Sequence, residues 1–212
     1  MVAVKDVHLK IEPGELVSIV GQSGAGKTTL VKLLIAEERP SKGQIQIGDW
    51  DITDIKESEI PILRRQIGVI FQDFKLLPKK TIFENVAFAL EVCGAPECRI
   101  DKIVPQILEI VGLEKKTDRY PDEISGGEQQ RAVIARSLVH APKIVIADEP
   151  SGNLDAINTN EIFSIFKKIN ELGTTVLLVT HNREMVNALR RRVVTIERGS
   201  VANDQAEGKY VL

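Results

Sequence analysis

The sequence predicts an α/β fold built around a parallel β-sheet. Two observations carry this prediction: short, continuous apolar runs recur along the chain, and segments with helical spacing of apolar residues lie between them. Such runs are typical of buried parallel strands, and their alternation with helices is typical of βαβ units. Ligands of these sheets bind at the carboxyl ends of the strands, so polar residues that follow an apolar run are the first candidates for a site.

The first strongly predicted strand, LVSIV from Leu16, leads into a glycine-rich loop and an amphipathic helix. GQSGAGKTT fits the pattern G-x-x-x-x-G-K-[ST], in which backbone N–H groups and a helix N-terminus face phosphate oxygens. Lys27 is expected to reach the β- and γ-phosphates, and the Thr28 hydroxyl to ligate Mg²⁺. An ordinary glycine-rich turn is the alternative. The predicted phosphate-binding residues are Gly21, Gln22, Ser23, Gly24, Ala25, Gly26, Lys27, Thr28 and Thr29.

The segments on either side of this loop are also predicted as strands. The stretch before Pro13 alternates well enough for strands, and QIQIG is an alternating strand that ends at Gly48. IGVIF, which ends at Phe71, is predicted as a buried strand with Gln72 at its carboxyl end. We therefore expect Gln72 at the edge where phosphates lie, where it could sense Mg²⁺ or water.

Residues 73–140 are predicted as a helical block with no strand. Apolar residues recur at helical spacing in TIFENVAFALEV and RIDKIVPQILEIVGL, although Pro105 should break or kink the second helix and Gly112 should stop it. A third helix should begin near Ser125. Because a serine and two glycines open this helix, its free N–H groups form a second candidate anion site, and a simple N-capped helix start is the alternative.

Strands return after the helical block, and two of them end in polar residues. KIVIAD is predicted as a central parallel strand followed by the acidic pair Asp148 and Glu149. Beside a phosphate loop, we expect Asp148 to hold Mg²⁺ and Glu149 to polarise the attacking water; without that loop, a solvated turn would be favoured. TTVLLVT is a second buried strand, and the ring of His181 after it could contact a γ-phosphate.

The last predicted elements complete this alternation of strands and helices. NTNEIFSIFKKINELG is predicted as a helix that Asn158 or Thr159 caps and Gly173 ends. VVTIERGSVAND is predicted as a hairpin that turns at Arg198-Gly199.

Composition limits the classes of function. The chain has 212 residues, 43% of them hydrophobic, and a net charge of −2, so no domain-wide basic field indicates a nucleic-acid partner. The run Arg190–Arg192 is most simply a solvated surface segment, with a membrane-facing role as the alternative. No apolar run approaches the roughly 20 residues that span a bilayer, and no signal peptide is evident, so we expect a cytoplasmic protein. Cys93 and Cys98 are expected as reduced thiols.

Taken together, these motifs resemble the nucleotide-binding domain of ABC transporters along nearly the whole chain. Six motifs occur in the family's order: the Walker A loop at Gly21–Thr28, the Q-loop at Gln72, the signature at Ser125–Glu128, the Walker B pair at Asp148 and Glu149, the D-loop at Ser151–Asp155 and the switch histidine at His181. The signature departs from LSGGQ at Ile124 and Glu128, while the serine and both glycines are intact.

This resemblance implies a P-loop NTPase (ABC ATPase) fold with a RecA-like parallel-sheet core, an antiparallel β part near the N-terminus and an inserted helical subdomain. One domain is expected over 1–212, with the core at 1–72 and 141–212 and the helical subdomain at about 73–140. The family's N-terminal strand and adenine-stacking loop are expected to be missing, because no Tyr, Phe or Trp precedes Trp50.

The resemblance also implies ATP hydrolysis in a head-to-tail homodimer that binds ATP and Mg²⁺ between two copies. The implied catalytic residues are Lys27, Gln72, Glu149 and His181, and the implied Mg²⁺ ligands are Thr28, Gln72 and Asp148. The ATP contacts implied for the second copy are Ser125, Gly126, Gly127 and Glu128.

The segment DFKLLP narrows the resemblance to the cell-division branch of the family, whose ATPase works with an integral membrane partner on the cytoplasmic face of the bacterial inner membrane. Lipoprotein-release and macrolide-export transporters share this segment and are the alternative. A non-hydrolysing, ATP-regulated scaffold is the alternative from another class, and the complete Walker B pair argues against it. The residues expected to dock the partner, for which core packing is the simpler interpretation, are Phe74, Leu76, Leu77, Phe83 and Phe88.

Overall fold

The structure, a computed structural model, describes residues 2–152 and 154–208. The strands of its main sheet are β1 (Leu16–Val20), β4 (Ile67–Ile70), β5 (Ile144–Asp148), β6 (Thr175–Val179), β7 (Arg192–Glu197) and β8 (Ser200–Gln205). They lie in the order β4-β5-β6-β1-β7-β8, and only the β7–β8 pair among these neighbours is antiparallel. A separate antiparallel pair is formed by β2 (Gln46–Ile47) and β3 (Trp50–Asp51). The predicted α/β fold class is confirmed.

Helices connect these strands. They are α1 (Lys27–Leu34), α2 (Ile60–Arg64), α3 (Ile82–Val92), α4 (Glu97–Ile110), α5 (Gly126–Leu138), α6 (Ala156–Glu171) and α7 (Arg183–Leu189), with a 3₁₀ turn at Pro121–Glu123. The block 73–140 is helical and contains no strand, as predicted. Within the described ranges, no helix combines the length and the apolar character needed to cross a bilayer.

The register of the parallel strands brings their carboxyl ends to one edge of the sheet. All five residues of β1 and of β6 are buried, as continuous apolar strands require. Ile19 of β1 and Asp148 of β5 both pair with Val179 of β6. Because these three strands end level with one another, the residues that follow them, including Gly21 and Thr180, lie close together.

The core lies on both faces of the sheet. One cluster packs α3, α4, α5 and α6 against the sheet, and the other packs α1 and α2 against its second face. Helix α5 contacts α3 as well as β4, so it joins the helical block to the sheet. The expected subdomain boundaries at 73 and 140 stay a prediction.

Core packing accounts for most of the aromatic and apolar residues expected to dock a partner. Phe74, Leu76 and Phe83 are partly buried and pack against the cluster around α3 and α5. Phe88, by contrast, leaves 40% of its surface exposed on α3. Of these four residues, Phe88 is therefore the one that the fold leaves free for a partner.

Two strand predictions in the first third of the chain need correction. No strand forms between Val2 and Glu15, where Asp6 has a φ of +51° that interrupts an extended backbone. Hydrogen bonds of this segment are isolated ones, such as the bond from the N–H of Lys5 to the carbonyl oxygen of Gly199. The strand predicted up to Gly48 is reduced to the two residues of β2.

Two helix predictions also need correction. Helix α4 continues through Pro105, because Ile100, Val104 and Leu108 bury its opposite face while Pro105 itself faces solvent. Helix α6 begins at Ala156, and Asp155 caps it by accepting a hydrogen bond from the N–H of Asn158 at 2.8 Å. Neither Asn158 nor Thr159 is the cap.

The basic run at Arg190–Arg192 is not a uniformly solvated segment. The Arg192 guanidinium pairs with Glu15 at 3.1 Å and with Asp204 at 2.7 Å, and only 19% of its side chain is exposed. It also donates to the carbonyl oxygen of Lys10. Arg192 therefore joins the N-terminal segment to β8.

Candidate functional site

The glycine-rich loop leaves β1 at the sheet edge and ends where α1 begins. Gly24 and Gly26 have φ values of +78° and +103°, and a Cβ added at Gly26 would collide with the carbonyl oxygen of Ala3. Lys27 is buried, and its Nζ donates to the carbonyl oxygens of Gly21 at 2.8 Å and of Gln22 at 3.0 Å. The glycines are therefore required sterically, and the Lys27 cation lies folded over the loop.

Helix α1 presents an open N-terminus at this loop. Its N-cap is Gly26, which has no side chain, and no described side chain caps the helix instead. The first N–H groups of a helix have no partner within the helix, and the macrodipole adds positive potential there. Thr28 and Thr29 lie in this first turn. The loop and helix start thus form an anion site of the kind that binds phosphates.

Asp148 ends β5 beside this helix start. Burial raises the pKa of its carboxyl group, and the neighbouring Glu149 raises it further, whereas the Thr28 hydroxyl and the Lys27 cation lower it. Hydroxyl, carboxylate and amide oxygens are the donors that Mg²⁺ prefers, and a cation would stabilise a carboxylate that burial disfavours. Thr28 and Asp148 therefore offer oxygen donors that fit Mg²⁺, and Gln72 as a third ligand stays a prediction.

The Glu149 carboxylate is held by the end of the neighbouring strand β6. Its Oε1 lies 2.7 Å from Nδ1 of His181, and its Oε2 accepts from Oγ1 of Thr180 at 3.1 Å and from the His181 N–H at 3.4 Å. The His181 side chain is 72% exposed, while that of Glu149 is 16% exposed. Glu149 has a φ of +50°, and its N–H donates to the carbonyl oxygen of Val179.

Gln72 reaches the same corner of the sheet from the end of β4. A Cβ added at Gly152 would lie 3.3 Å from both Nε2 of Gln72 and the carbonyl oxygen of Glu149. The Gln72 side chain therefore packs along the turn that follows Asp148. The structure thus brings together four predicted site residues from three adjacent strands: Gln72, Asp148, Glu149 and His181.

The second predicted anion site is a different helix start. Ser125 caps α5: its Oγ accepts from the N–H of Glu128 at 3.3 Å, and the Glu128 carboxylate accepts from the N–H of Ser125 at 2.8 Å. The latter bond is the main reason that the pKa of Glu128 is lowered, and Lys116 lies 3.6 Å from the same carboxylate.

The glycines of this helix start pack against segments other than the phosphate loop. A Cβ at Gly126 would meet Leu154 and Phe74, and one at Gly127 would collide with the side chain of Asn158. Within one chain, Ser125, Gly126, Gly127 and Glu128 therefore lie apart from the glycine-rich loop.

Comparison with known proteins agrees with this geometry. Residues 4–152 match the family described as ABC transporter. The chain belongs to the ABC transporter family. It is 52% identical over 208 residues to the cell division ATP-binding protein FtsE of Bacillus subtilis (strain 168), a match that covers 98% of this chain and 91% of that protein. The FtsE of Streptococcus pneumoniae serotype 2 is 48% identical over 208 residues, with 98% and 90% covered.

A solved structure of another ABC protein matches the fold. It is a dimeric structure of a post-hydrolysis state of the ATP-binding cassette MJ0796 bound to ADP and Pi, with a TM-score of 0.87 and 34% identity; the match covers 98% of this chain and 92% of that one. The chain is thus an ABC-type ATPase domain, and its sheet order, helices and antiparallel pair are those of this family.

The sequence analysis missed one residue of this ABC site, Thr180. One residue that it predicted, Asn153, lies outside the described residues. Thr180 is fully buried at the end of β6 and bonds Glu149. Its signal was present, since Thr180 is a polar residue that ends the buried apolar run TTVLLVT directly before His181. Asn153, in the predicted D-loop Ser151–Asp155, lies outside the described residues.

Proposed function

We propose that this chain binds and hydrolyses ATP as a head-to-tail homodimer and couples that cycle to an integral membrane partner, FtsX-like, in bacterial cell division. The observation that carries the proposal is the Glu149 carboxylate, which Thr180 and His181 hold at the same sheet edge as the phosphate loop. A carboxylate held in this way beside a phosphate site is suited to polarise a water molecule.

In this proposal each part of the site has a separate role. The glycine-rich loop and Lys27 bind the phosphates, and Thr28, Asp148 and Gln72 hold Mg²⁺. When bound, Mg²⁺ supplies positive charge that offsets the negative charge developing on the phosphates. Glu149 orients and polarises the attacking water. His181, whose ring is largely exposed and bonded to Glu149, contacts the γ-phosphate side of the site.

The two separate helix starts support the proposed dimer. Helix α1, with Gly26 as its N-cap, and helix α5, with Ser125 as its N-cap, begin in different parts of one chain. Placing Ser125, Gly126 and Gly127 of a second copy over the loop would satisfy one γ-phosphate from both sides. The related cassette MJ0796 has been solved as a dimer with ADP and Pi, which supports this arrangement.

An open groove on the surface supports the proposal that the chain binds a membrane partner. It has a volume of about 480 Å³ and lies where α3 and α5 meet the start of β4. Phe88 and Val92 give it an exposed apolar wall, and Arg64, Arg65 and Arg136 give it a basic one. Because the FtsE relatives are named for cell division, we propose an FtsX-like membrane protein as the partner and the cytoplasmic face of the inner membrane as the location.

ATP turnover at several protein concentrations tests the proposal. Turnover of the wild type should rise faster than linearly with concentration, because the site is complete only in the dimer. Glu149→Gln should lose turnover yet accumulate ATP-bound dimers in size-exclusion chromatography, and Glu171→Gln, on the exposed end of α6, is the matched control. A wild type that binds ATP without turnover would favour the non-hydrolysing, ATP-regulated scaffold. A Glu149→Gln variant that stays monomeric at saturating ATP would overturn the head-to-tail homodimer.

A further inference from the structure

The hydroxyl group of Thr180 links the backbone of Asn182 to the Glu149 carboxylate through two hydrogen bonds. Its Oγ1 accepts a hydrogen bond from the N–H of Asn182 at 3.0 Å and lies 3.1 Å from Oε2 of Glu149. An N–H can only donate and a carboxylate can only accept, so the single hydroxyl proton is directed at Glu149. The direction of the bond is therefore fixed by its partners.

The backbone around Thr180 leaves this hydroxyl little freedom. Thr180 is fully buried, and its N–H donates to the carbonyl oxygen of Ile19 at 3.1 Å, in the strand that leads to the phosphate loop. On the other side, the N–H of Glu149 donates to the carbonyl oxygen of Val179 at 2.8 Å. The Thr180 hydroxyl and the Glu149 carboxylate thus lie at the ends of β6 and β5, and the hydrogen bonds between these strands fix their separation.

His181 and Thr180 hold different sides of the carboxylate. The ring of His181 bonds Oε1 and is 72% exposed, so water competes for that contact. Thr180 bonds Oε2 from the protein interior, where a hydrogen bond is stronger and water is excluded. The buried bond is the one suited to fix the orientation of the carboxylate plane.

We infer that Thr180 is a positioning residue for Glu149, whose hydroxyl holds the carboxylate in the orientation that polarises water. This inference rests on the proposed role of Glu149. Thr180 is fully buried and bonds Glu149, so we expect its hydroxyl to contribute to kcat and to leave ATP binding unchanged.

Substitutions of Thr180 that remove or keep its hydroxyl group test the inference. Thr180→Val keeps the branched shape and removes the hydroxyl, so we expect kcat to fall about tenfold, the low end for a hydrogen bond to a charged group, with KM for ATP unchanged. Thr180→Ser keeps the hydroxyl and should restore most of kcat. If the valine variant does not fold, Thr180→Ala removes the same hydroxyl and must show the same loss.

Thr175 provides a matched control on the same strand. It lies at the opposite end of β6, is buried, and its Oγ1 accepts from the N–H of Gly14 at 2.9 Å. Thr175→Val therefore removes the same kind of bond to a backbone N–H, and its effect on stability should resemble that of Thr180→Val. Because its hydroxyl is far from Glu149, kcat should stay at the wild-type level.

Failure of the inference and failure of the proposed function are distinguishable. If the wild type does not turn over ATP, or if Glu149→Gln keeps full turnover, the proposed function is wrong. With an active wild type, an unchanged kcat in Thr180→Val, an equal loss in Thr175→Val or no rescue by Thr180→Ser would overturn the inference. In the Glu149→Gln background, Thr180→Val should lower the residual turnover no further, and an additional tenfold loss would count against it.

Discussion

The side chain of Asn85 should be essential for the stability of the helical block. It is fully buried on α3, and its Oδ1 accepts from the N–H of Leu77 at 2.7 Å. Its Nδ2 donates to the carbonyl oxygens of Leu77, Lys80 and Thr81 at 3.1, 2.9 and 2.9 Å. Asn85→Asp, nearly identical in shape, would remove both donors and set a carboxylate against these oxygens.

The expected loss in the free energy of unfolding can be worked from these contacts. A buried polar group left without its partner costs about 1–3 kcal/mol. The amide loses two donors, so Asn85→Asp should destabilise by about 2–6 kcal/mol, a large part of the roughly 5–15 kcal/mol available to a domain. Asn160→Asp, at an exposed position of α6, should change stability by no more than about 0.5 kcal/mol.

Urea unfolding of the two variants at several pH values checks this prediction. Burial among carbonyl oxygens raises the pKa of the new carboxyl at position 85 above its unfolded value, because the protonated form can donate a bond again. Its cost is therefore smallest below the unfolded pKa of about 3.9 and grows as the pH rises through the folded pKa. Equal stability of the Asn85 and Asn160 variants at neutral pH would refute the reasoning.

Two further predictions concern the hydroxyl group of Ser18 and the carboxylate of Asp204. The Ser18 hydroxyl in β1 has no partner among the described residues, so Ser18→Ala should leave stability unchanged or raise it by about 1 kcal/mol in urea unfolding; a clear loss would contradict this. Hydrogen bonding to Arg192 lowers the pKa of Asp204. The pair therefore contributes to the free energy of unfolding above the unfolded pKa of Asp204, and this contribution is lost as the pH falls through the folded pKa. Arg192→Met should flatten that acid loss in thermal unfolding, whereas Arg191→Met, at an exposed neighbour, should not.

Local sequence patterns predicted most of the sheet because burial on both faces leaves a continuous apolar run. The strands that end in Val20 and Asp148 show this pattern, and so their carboxyl ends could be placed at one edge. The break predicted as one outcome at Pro105 does not occur, because a tertiary contact, the burial of the opposite face of α4, outweighs one missing hydrogen bond on the solvent side.

Partners distant in sequence were beyond such patterns. The role of Thr180 depends on which carboxylate the fold brings to it, and no local pattern encodes that choice. Thr180 and Glu149 are 31 residues apart in sequence, and the pairing of β5 with β6 alone makes them neighbours. The identities of the site residues followed from motifs, whereas their hydrogen bonds required the structure.

The helix starts of α1 and α5, which bind one ATP from two sides in the proposed head-to-tail homodimer, are chemically unequal. Gly26 leaves α1 open to an anion, whereas α5 is closed by its own capping box, in which Glu128 already accepts from Ser125. A γ-phosphate can accept the free hydroxyl proton of Ser125 beside that carboxylate, but it must displace the carboxylate to reach the N–H of Ser125. A capping interaction is worth about 1 kcal/mol, and a hydrogen bond to a charged group about 1.5–3 kcal/mol, so the exchange favours phosphate once two N–H groups reach it. Lys116, 3.6 Å from Glu128, offsets the repulsion between the displaced carboxylate and the phosphate. ATP would therefore bind first at α1 and open the α5 cap only as the second copy closes.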